Sequence, residues 1–222
     1  MKVLGVSGSP INNSNTDRAV KAVLEATGAE TEFIKLNEYT IAPCIGCLGC
    51  LKTNRCVIKD DGIALAEKVK EADALVVGGF TPYSTLDSRT KAFLERLYPL
   101  RHIHGYLAGK PLAAVITTGI PLDAKHMPPA GDMGVKAIQF FALEEGMNYL
   151  GDVVMEGNVP CIKCGRNKEC AMDGLEMIHG PGATVESIGI HTFEQQGAAF
   201  KRAAELGQKI ATALKSNCTD EG

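Results

Sequence analysis

The chain has 222 residues, 45% of them hydrophobic, which suffices for one well-packed domain. Its 23 Lys and Arg are scattered among 26 Asp and Glu for a formal net charge of −3, with no basic stripe, and this argues against a nucleic-acid partner. No apolar run approaches a membrane span, and the apolar stretch in MKVLGVSGSP is too short for a signal-peptide core, so a cytoplasmic protein with no membrane partner is expected.

Lys2 to Ser7 predicts a strand that opens into Gly8-Ser9-Pro10, and Thr16 to Ala26 carries Val20, Val23 and Leu24 on one helical face. Thr31 to Leu36 predicts a second strand, with the segment PCIGCLGCLKTNRCVIKDD at its carboxyl end. Gly62 to Glu71 follows as a helix, Ala74 to Gly78 as a buried strand, Thr90 to Leu97 as a helix and Leu112 to Thr117 as a strand. Val135 to Met147 predicts a helix and Val153 to Val159 a fifth strand. A last amphipathic helix is expected from Glu194 to Lys215, with Ala199, Ala203, Leu206, Ile210 and Leu214 on one face. The chain is therefore expected to form a single domain over 1–215, with a cysteine loop at 43–61, a cysteine-containing extension at 160–192 and a flexible tail at 216–222.

Strands that are apolar throughout and alternate with helices imply a parallel sheet covered on both faces. Five such units fit an α/β, flavodoxin-like doubly wound fold of strand order 2-1-3-4-5, whose ligand lies at the carboxyl ends of the strands. The loops after strands one, three and four then meet at one site. The first, Ser7 to Thr16, is rich in hydroxyls and leads into a helix, where free N–H groups and the helix dipole favour a phosphate. Ser9, Ser14, Asn15 and Thr16 are its candidate contacts, a helix cap without ligand being the alternative. It matches neither a GxGxxG fingerprint nor a Walker loop, so a monophosphate fits better than a pyrophosphate. Gly78 to Ser84 and Thr117-Thr118-Gly119 combine small residues and backbone donors with few charges, as a planar ring system requires, and Tyr83 is the stacking candidate.

Cys44, Cys47, Cys50 and Cys56 stand two, two and five residues apart. Successive C-x-x-C steps in one compact loop favour a cubane [4Fe-4S] cluster over zinc, whose structural sites usually combine two separated pairs; zinc and a disulfide remain the alternatives. Cys161, Cys164 and Cys170 repeat the two-then-five spacing of the last three. A second cluster, a zinc site completed by His179 or His191, a redox dithiol or a structural loop all fit there. His102 and His104 beside Arg101 read as a solvated helix end or an electron-donor contact, His126 as a residue able to approach the ring site, and Asp60 and Asp61 as caps of the helix that follows the cysteines.

The segments VSGSP and SNT, TPYS followed by KAFLERL, and TTG resemble the FMN-binding loops of the NADPH-dependent FMN reductase branch of flavodoxin-like proteins. With the compact cysteine motif added, residues 1 to 160 are similar to the iron–sulfur flavoprotein family. The resemblance implies FMN phosphate at Ser7, Ser9, Ser14, Asn15 and Thr16. The isoalloxazine is then expected between Thr81, Pro82, Tyr83 and Ser84 on one side and Thr117, Thr118 and Gly119 on the other. It further implies a cluster at Cys44, Cys47, Cys50 and Cys56, a homodimer or tetramer in which the cluster of one subunit faces the flavin of another, and a ferredoxin-like donor or NAD(P)H. Two positions depart from the pattern: Ile11 stands where relatives often carry Arg, and Thr85-Leu86-Asp87-Ser88 replaces a glycine-rich stretch.

The expected function is an oxidoreductase or electron-transfer flavoprotein that passes electrons between a one-electron carrier and FMN and on to a small acceptor. The alternatives are an NAD(P)H-dependent FMN or quinone reductase whose cysteines bind zinc or are structural, and a non-enzymatic electron shuttle or redox sensor.

Overall fold

The computed structural model describes residues 1–166 and 169–219, with side chains through Ser216. Its five strands are β1 (Lys2–Ser7), β2 (Glu30–Lys35), β3 (Ala74–Phe80), β4 (Pro111–Thr118) and β5 (Asn148–Glu156). They form one parallel sheet of order β2-β1-β3-β4-β5, the flavodoxin-like order expected. Helices α1 (Asn15–Thr27), α2 (Gly62–Glu71), α3 (Ser88–Glu95), α4 (Ala130–Glu144) and α8 (Gly197–Thr219) cover it, and α5 (Cys161–Cys164), α6 (Gly174–His179) and α7 (Val185–Ile188) lie in the C-terminal extension. Among the described residues no helix is long and apolar enough to cross a membrane.

Side chains of a strand alternate between faces, and the two cores follow that alternation. Leu4, Val6, Leu75 and Val77 pack with Leu65 and Val69 of α2, Phe93 of α3 and Ile138 of α4. Val3, Val76 and Val115 face Val20 and Leu24 of α1 and Leu206 and Ile210 of α8. Gly207 permits the close crossing of α8 on α1, since a Cβ there would stand 2.4 Å from the Val23 carbonyl oxygen.

Three boundaries differ most from the sequence-based expectation. Strand β5 starts at Asn148 instead of Val153, because an edge strand buries only part of its surface and its register shifts opposite Leu112 and Ala113. Helix α4 starts at Ala130 instead of Val135, its first turns holding Gly131 and Gly134, which lie against Val154 and Thr81 respectively. Helix α8 continues to Thr219, through much of the segment expected to be a flexible tail, and residues 220–222 lie outside the described residues.

Candidate functional site

The strand order reverses between β1 and β3: α1 leaves the sheet toward one face and α3 toward the other, so the loops after these strands diverge at the carboxyl edge, where sheets of this kind bind ligands. In the first loop Ser14 caps α1, its Oγ accepting from the Asp17 N–H at 3.1 Å while Asp17 Oδ2 accepts from the Ser14 N–H. The cap satisfies one of the donors at the helix start and leaves others free for an anion. Beneath the loop, buried Ser7 donates to Asp17 Oδ1 at 2.6 Å, and buried Lys35 contacts both Asp17 oxygens and donates to the Ile11 carbonyl at 2.7 Å. This network was not anticipated: Lys35 neutralises an acidic group that would otherwise repel a phosphate at the helix start.

Ser9 is buried, and its Oγ accepts from the Ile11 N–H. Asn15 reaches the C-terminal extension, donating to the His191 carbonyl and accepting from the Phe193 N–H. Arg18 is held by Glu194 and Asn15, whereas Arg89 at the start of α3 donates to the Gly8 carbonyl at 3.2 Å and stands at the loop as a further cation.

The three loops touch. Thr16 Oγ1 and Thr117 Oγ1 are 2.8 Å apart, and the Thr81 N–H donates to the Thr117 carbonyl at 3.2 Å. Thr118 turns inward and its Oγ1 accepts from the Ile120 N–H, while Gly119 lies against Val159. Pro82, Tyr83 and Ser84 form one turn, with Tyr83 and Ser84 in the left-handed region at φ 50° and 61°. Asp87 anchors that turn, its N–H donating to the Phe80 carbonyl and its carboxylate accepting from Phe80 and Thr90. Tyr83 is consequently presented fully exposed rather than packed on the protein. Thr81 Oγ1 is buried and has no hydrogen-bond partner among the described residues. A buried hydroxyl left unpaired is costly, and Thr81 belongs to one of the two loops expected to hold the ring and is tied through its N–H to the other, so the donor set fits a flavin.

The cysteine loop is fastened by one buried arginine. Arg96, just beyond α3, makes a bidentate pair with Asp60 at 2.6 and 2.7 Å and donates to the Ala42 carbonyl at 2.8 Å. Asp60 also accepts from the Ala42 and Gly62 N–H groups, and the guanidinium holds its carboxyl below the usual range. Asp61 accepts from the Thr40 N–H instead of capping α2 with its side chain, which corrects the expected capping role: the carboxylate is drawn to the opposite end of the loop. Asn54 donates to the Pro99 and His102 carbonyls.

Cys44, Cys47, Cys50 and Cys56 line one cavity with Ile45, Val57 and Pro99. Gly46 adopts φ 63° and its N–H points to Cys44 Sγ at 3.5 Å. Buried Cys50 lies 3.3 Å from His102 Nε2, a contact that the sequence did not disclose. Burial pushes the Cys50 thiol up, and the nearness of Cys56, Cys44 and Cys47 adds to the shift. Among the described residues no three His, Cys, Asp or Glu side chains are gathered to hold a single metal ion. In a cubane each thiolate binds its own iron, so four cysteines lining one cavity, with a backbone N–H directed at sulfur, suit a cluster better than one zinc ion.

The second cysteine group is arranged differently. Cys161 and Cys164 sit at the two ends of α5, Cys164 and Cys170 are exposed, and Cys161 packs against Gly174. His191 is engaged by Asn158 and Glu156, and His126 Nε2 lies 3.2 Å from the Ile178 carbonyl, which directs it to α6.

A profile of the NADPH-dependent FMN reductase family matches residues 1–126. An iron–sulfur flavoprotein of Methanocaldococcus jannaschii is 39% identical over 97% of this chain and 98% of its own length. One from Archaeoglobus fulgidus is 36% identical over 54% of this chain and 60% of its own. Among solved structures, a flavodoxin from the domain Archaea superposes with a TM-score of 0.53 at 16% identity, covering 97% of this chain and 99% of the flavodoxin, a likeness of fold.

Proposed function

The chain belongs to the NADPH-dependent FMN reductase family, in its iron–sulfur flavoprotein group, and from that premise we propose that this flavin-dependent oxidoreductase carries FMN between the three loops and a [4Fe-4S] cluster on Cys44, Cys47, Cys50 and Cys56. Electrons would pass between a ferredoxin-like carrier or NAD(P)H and the flavin, and on to a small acceptor. The observation that carries the reading is that all four cysteines of the motif line one cavity in a chain whose phosphate loop and ring loops also meet.

When bound, a flavin exchanges electrons singly or in pairs and a cluster singly. The residues of the chain bind and orient. The start of α1, with Ser9, Ser14, Asn15 and Thr16, receives the phosphate, Ser7 and Lys35 keep Asp17 neutralised beneath it, and Arg89 adds positive charge where Ile11 supplies none. Thr81 Oγ1 offers its unpaired hydroxyl to the ring, with Pro82, Tyr83 and Ser84 on one side and Thr117, Thr118 and Gly119 on the other. No side chain is required as a general acid or base. A dimer or tetramer is supported by Ile45, Leu48, Leu51 and Val57, which stand exposed around the cysteine loop, and by the free Tyr83 ring.

Anaerobic absorbance spectra test this reading. Broad absorbance beneath the flavin bands, bleached by dithionite, is expected; flavin bands alone would favour the reductase with zinc-binding or structural cysteines. Thr81→Val separates binding from folding: weaker FMN binding is expected, with the apo protein at least as stable, because the variant removes a buried unpaired hydroxyl. Unchanged FMN affinity would remove Thr81 from the ring site.

A further inference from the structure

His102 belongs to the turn after α3, 52 residues from the cysteine it touches. Several features aim it there. Its ring stands edge-on to Tyr98 with centroids 4.8 Å apart, and its carbonyl accepts from both the Asn54 side chain and the His104 N–H. The next residue, Ile103, is β-branched yet adopts φ 62° and is 80% exposed. A β-branched residue in the left-handed region is strained by about 1–3 kcal/mol and persists where its surroundings fix it. Here the strained turn points the apolar Ile103 to solvent and directs the imidazole inward, onto the one buried thiol of its group.

A thiolate bound to iron has no proton to give, so in a hydrogen bond between the two groups the ring nitrogen must be the donor. Reduction adds negative charge to the centre and its sulfurs, and an N–H directed at sulfur stabilises the reduced form more than the oxidised one. We propose that His102 is a positioning residue of the cysteine-bound centre, fixing the Cys50 sulfur through an Nε2–H···Sγ hydrogen bond and raising the reduction potential of the bound cluster. The inference rests on the cluster reading above and extends it to a residue outside the cysteine motif.

The test is a redox titration, followed by electron paramagnetic resonance and flavin absorbance, of anaerobically prepared full-length protein as wild type, His102→Leu and His102→Gln, each assayed for iron and sulfide. The Leu variant should favour the oxidised cluster about tenfold, a fall of ~59 mV for a one-electron couple. The Gln variant, which retains an N–H donor, should recover much of that shift, and the flavin couple should not move. Iron lost from the Leu variant but retained in the Gln variant would also support the donor role. A Leu variant titrating with wild type, a Gln variant shifted as far as Leu, or iron lost from both would overturn the inference while leaving the cluster in wild type intact. Iron and sulfide absent from wild type itself would overturn the cluster reading and this inference with it.

Discussion

Cys47, Cys50 and Cys56 share their spacing with Cys161, Cys164 and Cys170, yet the two segments meet the rest of the protein differently. The first is sewn to α3 and the turn beyond it by the Arg96–Asp60 pair, by Asn54 and by the Cys50–His102 contact. The second rides on a four-residue helix, and none of its thiols has a hydrogen-bond or ring partner among the described residues. Near it a cleft is lined by Arg166, Glu169, Asp173 and Glu176, a charged and solvent-facing setting. Spacing decides which thiols can reach a common centre; buried charge and hydrogen bonds decide whether they are held there.

The largest effect should come from the thiols. Serine at any of Cys44, Cys47, Cys50 or Cys56 should abolish or disrupt the cluster, read as loss of iron and sulfide, whereas serine at Cys161, Cys164 and Cys170 together should leave both at the wild-type level. Iron lost from the second set of variants would erase the contrast. Arg96→Met comes next. It leaves the half-buried Asp60 carboxylate without its buried cation, and leaving such an acceptor unpaired costs about 1–3 kcal/mol, so denaturant unfolding should show a loss toward the upper end of that range together with poor iron incorporation. Stability within ~1 kcal/mol of wild type would mean the loop is held by other contacts.

A smaller effect is expected in acid. Because Arg96 depresses the Asp60 carboxyl, the pair stabilises the fold in full above the ordinary carboxylate range and loses that contribution as pH falls through the lowered value. Hydrogen exchange in the cysteine loop should therefore accelerate below about pH 4, and that acid response should be absent in the Arg96→Met protein. The smallest change should follow Asn54→Ala, which removes two hydrogen bonds to backbone carbonyls of the neighbouring turn. A loss of about 1–2 kcal/mol is expected, with local protection falling around Pro99 to His102.

Much of the fold was legible because its strands and helices obey simple periods. Lys2–Ser7 and Gly62–Glu71 run over the residues the pattern marks, with Leu4, Val6, Leu65, Ala66 and Val69 in the core, whereas Ile63 is only half-buried and Ala64 is exposed. Strand β5 was less legible at its start, since Asn148, Gly151 and Asp152 interrupt the apolar run of an edge strand. The loops of the site were readable from composition, but the charges that organise them were not. Asp17 sits in the first turn of a helix and Lys35 at the end of a strand, positions where a charge is ordinarily solvated; only the fold brings them to 2.6 Å. Arg96 likewise reads as the polar end of an amphipathic helix, and it becomes the anchor of the cysteine loop only when residues 42 and 60 close around it. The pairing of His102 with Cys50 has no signal in either local sequence.

One cysteine group, and not its shorter echo, is expected to hold a cluster beside a flavin. Iron, sulfide and FMN per chain, determined on anaerobically purified protein, test it most directly. About four irons, about four sulfides and about one FMN per chain are expected. Iron and sulfide near zero would contradict the cluster, and about eight irons would show that the cysteines of the extension are a second site after all.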